Sequence, residues 1–505
     1  MPRFKLFSFF LLAVNLAQIP MAGLCQSKPA PTTYYLDAAS GNDQQDGRSP
    51  GTAWRSLPRA GGQVFLPGDS LLLRRGGKWN GQLTLQGSGA AGAPVVVAGF
   101  GTGARPLLNG NGATGPVVSL PETDHWEIRG LEITNPASGV GSRTGILVRA
   151  MTGTRKYFRF NDLFIHDITG DYSFETKGKN TGGIGIIGGP QTRFEDIGIE
   201  NCEISNVVRV GIFTNLTDGK QATRGNRPIH GLVIRNNRIH HCAGDGAIIR
   251  YAYRPVISHN LAYENHCAAE DLVKHGVALW CRSTDEALFE YNEVHHTRGG
   301  MDGQAFDADL DSYRTVVQYN YTHDNEGGMM LVYGSSGEAV VRYNLSVNDG
   351  EKGKHLFDFP VWTAPRGSGI FHNNTLISTL AAPPVIADEA LETARFYNNV
   401  FYSTAGAAPV IPSDGKQAFF SNNYYVGYRF GTLGDVKAVK GRTLKKAIIY
   451  GNGFDRVPVL NLKIRQKGEL VSIKEKGYWL PDTGAVNLGD RKVGKRKIGI
   501  GAGER

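Results

Sequence analysis

Four short segments, LVIRNNRIHHC (residues 232–242), VISHNLAYEN (256–265), LFEYNEVHHT (288–297) and VVQYNYTHDN (316–325), follow one template. Each opens on two or three β-forming residues and a polar one, then places an asparagine, any residue, and an apolar or small residue. FRFNDLFIHD (158–167), VVRYNLSVND (340–349), GIFHNNTLIS (369–378), RFYNNVFYST (395–404) and FFSNNYYVGY (419–428) repeat it. The aligned amides are Asn161, Asn237, Asn260, Asn292, Asn320, Asn344, Asn374, Asn399 and Asn423, with Asn201 of GIENCEISN between the first two. Their spacing runs from 23 (Asn237 to Asn260) to 40 (Asn161 to Asn201) and clusters in the twenties toward the C-terminus.

A repeat of that length cannot bury its own apolar face, so neighbouring repeats must stack. Stacked strand–turn–strand coils make a parallel β-helix. An inward asparagine at the same corner of each coil then bonds its neighbours above and below, which gives the amides a structural task. Composition agrees: 66 Gly, only 6 Met and no amphipathic helix of four turns make this an all-β chain.

At the N-terminus, MPRFK carries two positive charges and LFSFFLLAVNLAQI is an apolar run too short for a comfortable membrane span. We expect residues 1–25 to be a signal peptide cleaved near Cys25–Gln26, with the mature protein secreted or periplasmic. Residues 26–430 are expected to form the β-helix and 431–505 a basic C-terminal cap. Beyond Cys25 there remain Cys202, Cys242, Cys267 and Cys281, none in a CxxC pair, read as buried free thiols. The net charge of +9 suits an acidic polysaccharide partner. No basic run is interleaved with aromatics, so nucleic acid is excluded as a partner, and the working unit is expected to be a monomer.

The stretch MDGQAFDADLD (301–311) sets Asp302, Gln304, Asp307, Asp309 and Asp311 around a single Phe306. Aligning the glycines of VGIFTNLT, DGAIIRYA, HGVALWCR, DGQAFDAD and GGMMLVYG puts Thr214, Ile249, Leu279, Phe306 and Leu331 inward. With period two, Asn215, Arg250, Trp280, Asp307 and Val332 then point outward, followed by Arg282 and Asp309. Arg250, Trp280, Arg282, Asp307 and Asp309 are thus expected to form one exposed patch over three coils, edged by Asp245, His275 and Asp302.

YYLDAASGNDQQDGRSPGTAWRSL (34–57), GDSLLLRRGGKWNGQLTLQGSGAAGAPVVVAGFG (68–101), the asparagine repeats and KIGIGAGE (497–504) together resemble one superfamily. It is that of secreted bacterial right-handed parallel β-helix proteins, the pectate-lyase-like carbohydrate-active group. The resemblance covers nearly the whole mature chain and implies architecture more than reaction, because glycosidases and polysaccharide lyases share it.

The patch suits glycoside hydrolysis: two of Asp302, Asp307 and Asp309 as acid and base or nucleophile, with crowding raising the pKa of at least one. Trp280 offers a face for a sugar ring, and Arg250, Arg282, His275 and Asp245 would contact substrate, the arginines holding a uronate or sulfate. A calcium-assisted lyase would instead use Asp302, Asp307, Asp309 and Asp311 as oxygen ligands, with Lys274, His275 or Arg250 as base. DGQAF…YNYTHDNEGG loosely resembles a run of one pectate lyase family, but the lysine-bearing strand expected there is absent. A non-catalytic glycan-binding β-helix is the third reading. Each residue also has a plainer role: Asp311 on a solvated loop, Asp245 and Asp302 shaping turns, Trp280 as lateral packing. His240, Tyr263, His295 and His323, each three beyond an aligned asparagine, are expected to stack as an outward column.

Overall fold

The computed structural model describes residues 30–172, 178–269, 272–333, 336–351, 354–359, 368–381, 385–387, 394–403, 419–421, 423–428 and 439–440. The expected signal peptide lies outside these, as does all of the expected cap except Val439–Lys440, which pairs with the strand Tyr424–Val426.

Short parallel strands wind into a β-helix with three faces. One coil runs through Leu279–Arg282 on the first face, Leu288–Glu290 on the second and Glu293–His295 on the third. The next coil lays Phe306–Ala308, Val316–Gln318 and Tyr321–His323 directly on them. Two 19-residue strands, Arg143–Asn161 and Gly182–Glu200, cross the first and second faces without a break. The one α-helix among the described residues, Leu57–Gly61, is a single turn near the N-terminal end, with the Ser56 side chain accepting from the Arg59 N–H.

Three-residue strands have no stability alone, so the coils are held by what they bury and by their corners. Ile234, Ile257, Phe289, Val317, Val341, Phe371 and Phe396 form one inward column on the second face, part of a core continuous along the axis. Each such side chain removed from water stabilises the stack by about 1.5–3 kcal/mol.

At the corner between the second and third faces the chain turns through a left-handed residue: Asn236, His259, Tyr291, Tyr319, Tyr343, Asn373 and Asn398 all have φ between 54° and 58°. That conformation costs a non-glycine residue roughly 1–2 kcal/mol. The residue that follows offsets the cost. Asn237, Asn260, Asn292, Asn320, Asn344, Asn374, Asn399 and Asn423 form a continuous buried amide ladder. In each step Oδ1 accepts both the backbone N–H and the side-chain amide of the asparagine one coil earlier, as Asn320 does from Asn292 at 2.9 and 3.0 Å. Its Nδ2 also reaches a carbonyl of the earlier coil, Phe289 at 3.0 Å for Asn320.

Asn161 and Asn201 are corrections to this alignment. Asn161 pairs with Glu200 and Glu200 with Arg235, so the positions in line with Asn237 are Leu163 and Cys202. Cys202 offers only its backbone N–H to Asn237 Oδ1, and the ladder ends there. Asn201 is itself the left-handed corner residue, with φ 55°. Cys202, Cys242 and Cys281 are buried free thiols as expected, whereas Cys267 is exposed.

The corner between the third and first faces carries a second, shorter ladder, in which Asn265, Asn325 and Asp349 accept the N–H groups of Cys242, Thr297 and Asn325. It delivers the chain to the first-face strands on which the acidic stretch lies.

Candidate active site

On the first face the register places Phe213, Ile248, Trp280, Asp307 and Leu331 in one outward column. Two residues further along, Arg250 pairs with Arg282, and Asp309 follows the strand Phe306–Ala308. This register corrects the glycine alignment at two points. Ala247 pairs with Leu279, so Arg250 stands beside Arg282 and not beside Trp280; a slip of two leaves both facing outward. Phe306 pairs with Met330, a slip of one, which reverses the faces: Leu331 shares the outer face with Asp307, and Val332 is in the core.

The expected exposed patch is largely covered. Trp280 is 4% exposed and packs with Val210, Phe213, Ile248 and Val277 in a small second apolar cluster outside the helix. Its indole is capped by the Lys179 ammonium, 4.6 Å from the ring centre, and by Arg250 at 5.7 Å. It is therefore not an open platform for a sugar, and lateral packing is its role. Asp245, at 0% exposure, cannot touch substrate either. Its Oδ1 accepts from the Trp280 indole at 2.8 Å and from the Val277 N–H at 3.1 Å, while Oδ2 lies 3.5 Å from Lys179 and 3.6 Å from Arg209. Burial works against its charge, but Lys179 and Arg209 hold its carboxyl below the usual range.

Lys179 and Arg209 carry no marker in the sequence. Lys179 comes from the turn Gly178–Asn180, whose Asn180 also accepts from Asn215 at 2.8 Å and Arg250 at 3.3 Å. Burial lowers the Lys179 pKa, opposed by Asp245, and lowers that of Arg250 to about 10. These cations thus gather over Trp280 and around Asp245.

Asp307 is 5% exposed, and among the described residues its Oδ1 has no hydrogen-bond partner. Burial raises its pKa well above the usual carboxyl range, and Asp309, Asp302 and Asp245 add to the rise against Lys179. Asp309 is also raised by burial, less so because Arg282, 3.8 Å away, and the Leu310 N–H favour its charge. Solvent reaches two carboxyls of the group: the side chain of Asp302 is 22% exposed and that of Asp309 12%. Asp302 Oδ2 lies 3.2 Å from His275 Nδ1 at the edge of the site. Tyr333 joins the group in line with Asp309, and burial beside these carboxyls pushes its hydroxyl up to about 12. Tyr333 was missed because the slipped alignment ended one residue out of phase.

Asp311 is not part of this group. It turns through φ 60° and its Oδ2 accepts from Arg227 at 2.9 Å. Arg227 is fully buried, bonds Asp285 as well and ties down the segment before residue 229. The four aspartates expected to cage calcium therefore do not converge. Among the described residues, the one grouping of three His, Cys, Asp or Glu with close ligand atoms is His295, His296 and His323.

A family model described as "Right handed beta helix region" matches residues 182–359, the coils that carry this site. The chain is a right-handed parallel β-helix. It is 25% identical over 522 aligned positions to a lacto-N-biosidase of Bifidobacterium longum, an alignment covering 84% of this chain and 32% of that protein. The chain thus spans about a third of the length of that curated relative. Two crystal structures of the GH136 lacto-N-biosidase of Eubacterium ramulus, native and selenomethionine forms, superpose with TM-score 0.63 and 22% identity. They cover 78% of this chain and 68% of theirs, a likeness of fold.

Proposed function

We propose that this protein is a glycoside hydrolase acting on an oligosaccharide, with Asp309 as general acid and Asp302 as the partner carboxylate. The observation that carries the reading is the graded exposure of three carboxyls on one face: Asp302 is the most open, with 22% of its side chain exposed, while Asp309 and Asp307 are buried at 9% and 5%. A general acid must hold its proton near neutral pH and also touch the leaving oxygen. Burial raises the pKa of Asp309 while leaving 12% of its side chain open to solvent, the combination that favours it as the acid. As the glycosidic C–O bond breaks, the Asp309 proton passes to the departing oxygen. Asp302 then stabilises or captures the positive anomeric carbon, or activates the water that adds to it. Asp307, kept neutral by burial, adds no second negative charge that would repel the Asp302 carboxylate.

The resemblance to lacto-N-biosidases makes an oligosaccharide bearing a lacto-N-biose unit the first substrate to try. An acidic substituent would meet Arg282, which stands half-exposed beside Asp309. Export through the N-terminal leader, with one chain as the working unit, completes the reading; N-terminal sequencing and gel filtration of the mature protein check these two points.

The deciding experiment incubates the purified mature chain with lacto-N-biose-bearing oligosaccharides and with uronate polymers, with and without chelator. Reducing ends and the near-ultraviolet absorbance of unsaturated uronates are followed together. Reducing ends without new absorbance, lowered about 10²–10⁴-fold in Asp302→Asn and in Asp309→Asn, are expected. Absorbance rising in step with reducing ends would overturn hydrolysis in favour of β-elimination. No cleavage of any substrate, with glycan binding intact in both variants, would leave a binding protein.

A further inference from the structure

On the third face, away from the aspartates, the outward column expected from the repeats is present: His240, Tyr263, His295 and His323 stack ring on ring. The centroid separations are 4.5, 5.1 and 4.5 Å and the interplanar angles 8°, 12° and 14°. Beside it runs a second column, one residue later on each coil, of left-handed corner residues His241, Glu264, His296 and Asp324. Where the columns meet, neighbours pair. His241 Nε2 lies 2.6 Å from Glu264, and His323 Nδ1 lies 2.7 Å from Asp324.

His296 differs. Its Nδ1 is 2.8 Å from His295 Nδ1, as His241 Nδ1 is from His240 Nδ1, but the ring it meets edge-on on the next coil, at 5.7 Å and 88°, is a histidine, His323, where His241 meets Tyr263. One ring nitrogen from each of His295, His296 and His323 lies within 4.8 Å of the others, on two consecutive coils. We propose that these three histidines bind a divalent transition metal ion, zinc being the type, with water or a neighbouring carboxylate as fourth ligand.

Four arguments support this site. Imidazole is the ligand such ions select, and oxygen-loving ions such as calcium avoid it. Zn–N bonds of about 2.0–2.1 Å put tetrahedral ligand atoms roughly 3.3 Å apart, so small ring rotations bring the three nitrogens to a common centre. The left-handed backbone at His296, φ 52°, aims its ring across the end of the column instead of along it. Asp324, 2.7 Å from His323 Nδ1, is the carboxylate that commonly orients a ligating imidazole, which leaves Nε2 for the ion and Glu293, 3.6 Å from that nitrogen, as the carboxylate that could complete the set. The earlier vicinal pair His240–His241 has Glu264 and Tyr263 on the adjoining coil in place of a third histidine, and so serves as an internal control.

An ion here would link two coils where the chain leaves the third face for the segment carrying Asp302. The test uses the full-length mature protein without a histidine tag. Cobalt(II) is titrated and its visible spectrum recorded, zinc affinity is measured by calorimetry, and Tm is followed with and without zinc. One equivalent of Co²⁺ with an intense tetrahedral spectrum, and a Tm raised by zinc, are expected. His296→Asn, which tolerates the left-handed backbone, and His323→Gln are each expected to lose on the order of tenfold or more in affinity. His241→Asn should keep wild-type binding. Circular dichroism and Tm without metal confirm that the variants fold. Stoichiometric binding unchanged in folded His296→Asn, or no binding by the wild type below millimolar metal, overturns the proposal.

Discussion

The indole N–H of Trp280 donates to the Asp245 carboxylate at 2.8 Å, and both side chains are sealed from solvent. This pair joins two adjacent coils and sets the floor of the candidate site, with Lys179 and Arg209 on its far side.

Asp245→Ala removes the anion between the buried Arg209 and the largely covered Lys179. Breaking a buried ion pair on one side costs about 3–5 kcal/mol. Urea unfolding should show that loss for Asp245→Ala, whereas Asp302→Asn, at the rim, should change stability little. Equal stability of the two variants would mean that the Asp245 cluster does not hold the floor.

Asp307→Asn should have the opposite sign. The folded-state pKa of Asp307 lies above its unfolded value, so its favourable contribution is complete below about pH 4 and is lost as pH rises through the folded pKa. An isosteric amide cannot ionise. The variant should therefore be as stable as wild type or more so at pH 7, with the difference vanishing below about pH 4, as read from Tm against pH.

Arg282→Gln should move the pH–rate profile. Burial raises the Asp309 pKa, and Arg282 is the strongest influence that lowers it. Without that guanidinium the acid keeps its proton to higher pH. The alkaline limb of kcat/KM is expected to shift upward, and a shift to lower pH would remove Asp309 from the role of acid.

Asn320→Ala breaks the ladder. The Asn292 N–H and the Phe289 carbonyl, both buried, lose their partner, and so do the amides above and below. At roughly 1–3 kcal/mol per unsatisfied group the loss should be at least about 3 kcal/mol. Asn161→Ala, off the ladder, should cost well under that in the same thermal unfolding experiment.

The ladder from Asn237 to Asn423 was legible because an amide that must bond both neighbours admits few substitutes, and its β-forming neighbours mark its strand. It was misread at Asn201 because asparagine also suits the left-handed corner one residue earlier, and at Asn161 because that residue lies two before the ladder position, with Asp162 at the corner. The stacked column of His240, Tyr263, His295 and His323 was legible from the same register. On the first face the guide was glycine, which marks a turn but not a pairing. The loops before Leu279 and Met330 differ in length, so equal distance from a glycine did not mean equal height on the strand.

The sequence by itself therefore determined the repeating architecture and the gathering of Asp302, Asp307 and Asp309 on one coil next to Trp280 and Arg282 of the coil before, since strand period and coil spacing are local properties. Tertiary structure alone decided which of those carboxyls meets water. That depends on Lys179, Arg209 and the Gly178–Asn180 turn arriving from earlier coils to cover Trp280 and Asp245. Burial, and with it the pKa of each aspartate, is a property of what lies over a residue, and nothing in the residue's own segment encodes its cover.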